Sequence, residues 1–262
     1  MDLGLKGKNA IVTGASYGLG FACAEALAGE GANVAICSRD TTKLRSAART
    51  IAEGSPGKVI EIKADLTEQA DLERLVQESR AALGNIDILV VSTGHPPTHP
   101  FSIATDQHWQ DGMDLVLRPP IVLSRLLLDE MTEQGYGRIV FIGSIFGLEP
   151  EKTSVVQSTL RTGLNALAKC IATEVAARGV TVNVICPGYF DTPLVRDLAK
   201  QYAESTNSSV EEIFDDWAGY APAKRFGKPE DLGALVAFLA SPKGEFITGT
   251  TVTIDGGAVR QY

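Results

Sequence analysis

One stretch limits the folds open to this chain more than any other: Thr13-Gly14-Ala15-Ser16-Tyr17-Gly18-Leu19-Gly20. It lies between a first apolar run, residues 9–13, and a first helical pattern over residues 18–29, with Phe21, Ala22, Ala26 and Leu27 facing in. A glycine pattern alone is weak. Placed between a first strand and a first helix, it marks a phosphate-binding turn. Gly14 permits the tight turn, Gly18 lets the backbone approach a pyrophosphate, and Gly20 lets helix and strand pack closely. The helix N-terminus then offers free N–H groups and a positive dipole to the phosphates.

Short apolar runs and amphipathic stretches alternate along the rest of the chain. Strands are expected over residues 33–37, 59–63, 87–91, 138–142, 180–185 and 251–254. Helices are expected over 42–52, 69–83, 105–116, 119–133, 155–177 and 229–240. Strict alternation implies right-handed crossovers and a parallel sheet. Continuously apolar strands imply that both faces of the sheet are covered. The expected fold class is α/β: a single doubly wound parallel sheet with helices on both faces, residues 1–262 forming one domain. Residues 194–223 read as polar and irregular, a substrate-lid insertion over the carboxyl edge of the sheet, where ligands bind in such folds. Phe214, Trp217 and Tyr220 would line that lid.

The second strand indicates which dinucleotide is bound. A site for a ribose without a 2′-phosphate usually ends this strand with an acid. Here Cys37 leads to Ser38 and Arg39, and a hydroxyl beside a guanidinium suits a 2′-phosphate. NADP(H) is the expected cofactor, with NAD(H) as the alternative, since Asp40 could pair with Arg39.

Composition narrows the remaining classes. The net charge is −8 and there is no basic stripe, which argues against nucleic acid as a partner. Cys23, Cys37, Cys170 and Cys186 form no Cys-x-x-Cys pair, and no metal site is expected. No apolar run is long enough for a bilayer, and the opening residues lead straight into a strand, so a cytoplasmic protein is expected.

Several ordered motifs together resemble the classical short-chain dehydrogenase/reductase family over nearly the whole chain. They are Thr13-Gly14-x-x-x-Gly18-x-Gly20, Asp65-Leu66, Ser144 after the fifth strand, and Pro187-Gly188-Tyr189-Phe190-Asp191-Thr192 after the sixth. Arg225-Phe226-Gly227-Lys228-Pro229-Glu230-Asp231 and Ile247-Thr248-Gly249 with Asp255-Gly256-Gly257 complete the set. The resemblance implies a Rossmann fold and an oxidoreductase acting on a small carbonyl or alcohol. It places cofactor contacts at Gly14, Ser16, Tyr17, Gly18, Leu19, Gly20, Ser38, Arg39, Asp65, Leu66, Thr93, Gly94, Arg161, Pro187, Gly188, Phe190 and Thr192. In the family Asp65-Leu66 would cap the adenine, and the loop from Pro187 would lie along the nicotinamide.

The resemblance fails at the catalytic set. The family's Asn-Asn-Ala-Gly reads Val91-Ser92-Thr93-Gly94, its asparagine after Trp109 falls at Val116, and its Tyr-x-x-x-Lys reads Gln157-Ser158-Thr159-Leu160-Arg161. Ser144, Gln157 and Arg161 are therefore the candidate catalytic residues. Gln157 can donate a hydrogen bond but cannot release a proton. Arg161, one helical turn on and on the same face, carries an effectively permanent charge. Three readings follow: a reductase whose acid is His95, His99 or Tyr189; a protein that binds NADP(H) without turnover; and a non-redox carbonyl enzyme using Ser144 and Gln157 as donors. Two apolar rows, Leu123, Leu126, Leu127 and Met131, then Leu160, Leu164, Leu167 and Ala168, suggest burial against another subunit. In the family such helices build dimers, and tetramers by symmetry.

Overall fold

Seven parallel strands form one sheet in the order β3-β2-β1-β4-β5-β6-β7. In this computed structural model residues 2–260 are described. The strands are β1 (Asn9–Val12), β2 (Asn33–Ser38), β3 (Val59–Lys63), β4 (Ile88–Val91), β5 (Gly137–Ile142), β6 (Val180–Pro187) and β7 (Thr251–Ile254). The chain winds outward from β1 in both directions, so the order reverses between β1 and β4. That reversal opens a crevice at the carboxyl ends of the strands.

The helices are α1 (Gly18–Gly29), α2 (Thr41–Glu53), α3 (Gln69–Leu83), α4 (Asp106–Val116), α5 (Arg118–Gln134), α6 (Val155–Val175), α7 (Pro193–Thr206), α8 (Val210–Tyr220) and α9 (Pro229–Ala240). Side chains on a strand alternate between faces. Val12, Ile36, Val90 and Ile142 therefore pack with Leu27 of α1, Leu44 of α2 and Val236 of α9. Ile11, Leu89, Phe141 and Val184 pack with Leu75 of α3, Leu127 of α5 and Leu164 of α6 on the opposite face. Both faces are dry, as the uninterrupted apolar strands require.

Two expectations change. Residues 194–223 are not irregular but hold two capped helices. Thr192 Oγ1 accepts from Val195 N at the start of α7, and Ser209 and Glu212 form a reciprocal capping box on α8. The pair closes a small core of its own, with Ala199, Ala203 and Ile213 buried beside Phe214 and Trp217. The apolar rows on α5 and α6 are also largely accounted for within one protomer. Leu123, Leu127, Met131, Leu160, Leu164 and Ala168 are buried, and Leu126 and Leu167 are partly covered by the same core.

Candidate active site

The glycine turn is as tight as its sequence requires. Gly14 has φ +59°, and a Cβ there would lie 2.6 Å from the Ser92 carbonyl oxygen. A Cβ on Gly20 would lie 2.3 Å from the Gly14 carbonyl oxygen, so α1 presses directly on the turn. Thr13 Oγ1 donates to Ser92 O at 2.8 Å and accepts from Ser92 N at 3.0 Å, which clasps β1 to β4 across the switch point. No side chain caps α1, and its first turn contains no acid. Its leading N–H groups therefore face the crevice with the positive end of the helix dipole behind them, a cradle for an anion. Gly18, at φ +64°, lies beneath the Thr192 side chain, so the loop after β6 roofs the same cradle.

At the end of β2, Ser38 Oγ donates to Asp40 O at 3.2 Å. Asp40 does not pair with Arg39. Its carboxylate caps α2, accepting from Thr42 N and Lys43 N at 3.0 Å each. The Arg39 side chain is 75% exposed, and among the described residues its one carboxylate contact is Asp65 at 3.9 Å. A pair this loose and this wet leaves the guanidinium free to rotate onto a phosphate. Asp65 Oδ1 accepts from Thr67 N and Thr67 Oγ1, which shapes the turn after β3, and Leu66 is buried beneath it.

Ser144, Gln157 and Arg161 come together where β5 ends under α6. Ser144 Oγ accepts two hydrogen bonds, from Phe146 N at 3.2 Å and from Gln157 Nε2 at 3.4 Å. A hydroxyl has two acceptor sites and one proton. With both acceptor sites taken, the Ser144 proton is left to point elsewhere. The Gln157 carbonyl oxygen is buried without a partner. Arg161 is 5% exposed and spans two strand ends, donating to Ile142 O at 2.7 Å, Thr93 Oγ1 at 3.2 Å and Gly94 O at 3.4 Å. Its Nε has no partner. Burial pulls its pKa down to about 10, so it remains charged at neutrality. Gly147 allows this packing, since a Cβ there would lie 2.9 Å from the Arg161 backbone carbon.

The three candidate acids have different surroundings. Burial lowers the His95 pKa below its ordinary value, against a raising hydrogen bond at Pro96, and the Arg161 charge adds to the lowering. His95 is therefore neutral at physiological pH. His99 stacks on His108 with ring centroids 4.2 Å apart, and its carbonyl accepts from Val155 N at the start of α6. Burial raises the Tyr189 pKa, and the ring stacks on Trp217 at 5.6 Å with its edge to Tyr220 and Phe226.

The comparisons with known proteins agree over nearly the whole chain. The family model described as Enoyl-(Acyl carrier protein) reductase matches residues 14–259. The 3-oxoacyl-[acyl-carrier-protein] reductase FabG of Escherichia coli is 33% identical over 257 residues, covering 97% of this chain and 98% of that protein. The chain belongs to the short-chain dehydrogenase/reductase family. Oxidoreductase UcpA of Salmonella typhimurium, 32% identical over 259 residues, covers 97% of this chain and 95% of its own. Among solved structures, L-sorbose reductase from Gluconobacter frateurii, complexed with NADPH and L-sorbose, superposes with a TM-score of 0.96 at 31% identity over 100% of both chains. A variant actinorhodin polyketide ketoreductase with NADPH gives 0.92 at 28% identity, covering 97% of this chain and 98% of that one.

In this short-chain dehydrogenase/reductase, the loop after β6 is held against the end of β7 and the segment before α9. Gly188 N donates to Ile254 O at 3.0 Å, and Phe190 is buried against Gly227. Asp191 receives a two-pronged ion pair from Arg196, Nε to Oδ1 at 2.6 Å, which ties the loop to α7. Cys186 is a buried free thiol whose Sγ faces Asn165 Oδ1 at 3.9 Å, with the Arg161 charge acting on it. Among the described residues no cluster of His, Cys, Asp or Glu could hold a metal ion, and no helix is long and apolar enough to cross a membrane.

Proposed function

We propose that this chain is an NADP(H)-dependent oxidoreductase acting on a small carbonyl or alcohol, with a donor pair in place of a proton-releasing tyrosine. One observation carries the reading. Ser144 Oγ has both acceptor sites filled, by Phe146 N and Gln157 Nε2, so its single O–H is free to donate to a substrate oxygen. The second N–H of Gln157 Nε2 is available beside it. Two donors aimed at one oxygen form a hole for a developing alkoxide. The proton that completes the alcohol then comes from water, because neither donor can give one up.

The cofactor fits the residues present. The turn from Gly14 to Gly20 and the uncapped start of α1 hold the phosphates, and Ser38 with Arg39 hold the 2′-phosphate. Asp65 and Leu66 border the adenine, and Thr93, Gly94, Pro187, Gly188, Phe190 and Thr192 line the nicotinamide end. The solved relatives bound to NADPH support this choice of dinucleotide. When bound, the coenzyme supplies or accepts the hydride. The helices α7 and α8, with Trp217 stacked on Tyr189, form the lid over the substrate.

A reading of coenzyme binding without turnover is favoured by one feature: the groups hydrogen-bonded to Ser144 Oγ among the described residues, Phe146 N and Gln157 Nε2, carry no titratable proton. General acid help is typically worth ~10²–10⁴ in rate, so a chain lacking it is slow but not silent. The two readings separate in one experiment. NADPH affinity is measured by fluorescence, and oxidation of NADPH is followed across a panel of ketones and aldehydes. Ser144→Ala is expected to reduce turnover by roughly 10²-fold while leaving NADPH affinity unchanged. Tight NADPH binding with no turnover on any carbonyl would establish the binding-only reading instead.

A further inference from the structure

A cleft opens between α8 and the loop after β6. It measures about 350 Å³ and is lined by Tyr189, Asp215, Asp216, Trp217, Gly219 and Tyr220. A space of this size takes a small organic ligand.

Three features of its walls select the charge of that ligand. The first is a pair of carboxylates. Asp215 and Asp216 are exposed, and neither pairs with a lysine or arginine among the described residues. Burial raises the Tyr189 pKa, and Tyr220, Glu151 and Asp216 raise it further, so a negative field reaches the ring at the cleft's inner end. The second is the helix itself. The cleft lies at the C-terminal end of α8, whose last turn holds no basic residue. That end of a helix is partially negative and favours a cation, so Asp215 and Asp216 add charge where the helix least tolerates it. The third is aromatic. Trp217 stacks on Tyr189 at 5.6 Å, and Tyr220 meets Tyr189 at 6.1 Å and a steep angle. Tyr220 is 56% exposed, which leaves ring surface for a ligand. An aromatic face attracts a cation.

The chain's own cations near the cleft are engaged elsewhere. Arg196 is paired with Asp191 and lies 5.4 Å over Phe214, Lys200 pairs with Asp197, and Arg225 with Asp231. Lys224 donates to Gly219 O at 2.7 Å, which answers one carbonyl at the helix end and leaves both carboxylates without a partner. Residues 193–220 hold six acids and two bases, a field that draws cations towards this face.

We infer that the cleft binds a small alkylammonium cation, its charge beside Asp215 and Asp216 and its alkyl groups against Trp217 and Tyr220. An anion would be repelled by the acids and by the helix end, and a bare metal ion would leave the rings unused. The inference goes beyond the redox reading and does not depend on the donor pair at Ser144.

The test needs neither coenzyme nor turnover. The full chain is titrated calorimetrically with choline and with neohexyl alcohol, an uncharged molecule of the same shape in which carbon replaces the nitrogen. Choline is expected to bind roughly tenfold more tightly than the alcohol. The double variant Asp215→Asn with Asp216→Asn is expected to erase that preference. Equal affinity for the two ligands, tighter binding of the alcohol, or no saturable binding of choline would overturn the inference. So would a preference that persists in the double variant. Both carboxylates are exposed, so the substitutions disturb no core; should the double variant still fail to fold, the wild-type comparison decides.

Discussion

Replacing Gly20 by alanine tests the geometry on which cofactor binding depends. Alanine is the better helix former by ~1 kcal/mol, so on propensity alone the change would stabilise α1. Space decides against it. The new Cβ would lie 2.3 Å from the Gly14 carbonyl oxygen, 2.8 Å from its carbon and 3.0 Å from the Thr13 oxygen. All three are backbone atoms and cannot swing aside. Ordinary contact begins near 3.4 Å, so α1 must retreat by about 1 Å (3.4 − 2.3). It cannot do so freely, because α9 packs behind it, with Gly233 approaching the Ala22 carbonyl. Overpacking of this kind costs ~1–3 kcal/mol, and with backbone on both sides the upper part of that range applies. The net loss is ~2 kcal/mol after the gain in propensity, a fall in melting temperature of roughly 4–8 °C for a chain of this size. The retreat also carries the leading amides of α1 away from the phosphates. Losing two charge-assisted hydrogen bonds at ~1.5 kcal/mol each weakens NADPH binding by roughly 10²-fold. Gly29→Ala is the control in the same helix. Its Cβ meets nothing within 4 Å, so it should leave NADPH binding intact and hold or raise the melting temperature. Melting curves with and without NADPH measure both effects. A Gly20→Ala protein that melts at the wild-type temperature and binds NADPH normally would refute the argument.

Arg39→Glu should reverse the coenzyme preference, weakening NADPH by roughly 10–100-fold while NADH changes little, since the guanidinium is held only by Asp65 at 3.9 Å; unchanged selectivity in parallel titrations would show that the 2′-phosphate lies elsewhere. Arg161, whose pKa burial lowers to about 10, should favour the folded state as pH rises through about 10, because the unfolded chain holds the proton longer, as read by denaturant midpoints. His95, whose pKa burial lowers, should make the wild type lose stability relative to His95→Gln as pH falls through the ordinary imidazole range, as read by denaturant midpoints.

Much of this molecule was legible before any coordinates, and the exceptions have physical causes. The β1–α1 turn was readable because its glycines are demanded by backbone contacts local to the sequence, at Gly14 and Gly20. The sheet was readable because parallel strands buried on both faces leave long apolar runs. The helices α7 and α8 were hidden because they bury little. Among their described residues only Ala199, Ala203 and Ile213 are buried, with Val210, Phe214 and Trp217 partly covered, too sparse a pattern to stand out among polar residues. The rows on α5 and α6 showed the converse problem. An apolar stripe looks the same whether it faces its own sheet or another subunit, and here Leu123, Leu127 and Leu164 face the sheet. The charge balance around Arg161 was not legible at all. It depends on which strand ends the guanidinium reaches and on the absence of an acid beside it, and both are tertiary facts.

Gln157 and Arg161 are both polar, yet each is only 5% exposed. These two side chains lie at the carboxyl edge, where α6 passes over the end of β5, and each keeps one buried polar atom unsatisfied. An unmade buried hydrogen bond costs ~1–3 kcal/mol, so the pair lowers stability by an amount the rest of the fold can absorb. Residues selected only for packing would not retain such a cost, and apolar side chains would serve better there. Gln157→Leu, which removes the orphaned carbonyl, should therefore raise the melting temperature of the free protein; an unchanged or lower value would mean that the buried carbonyl costs nothing.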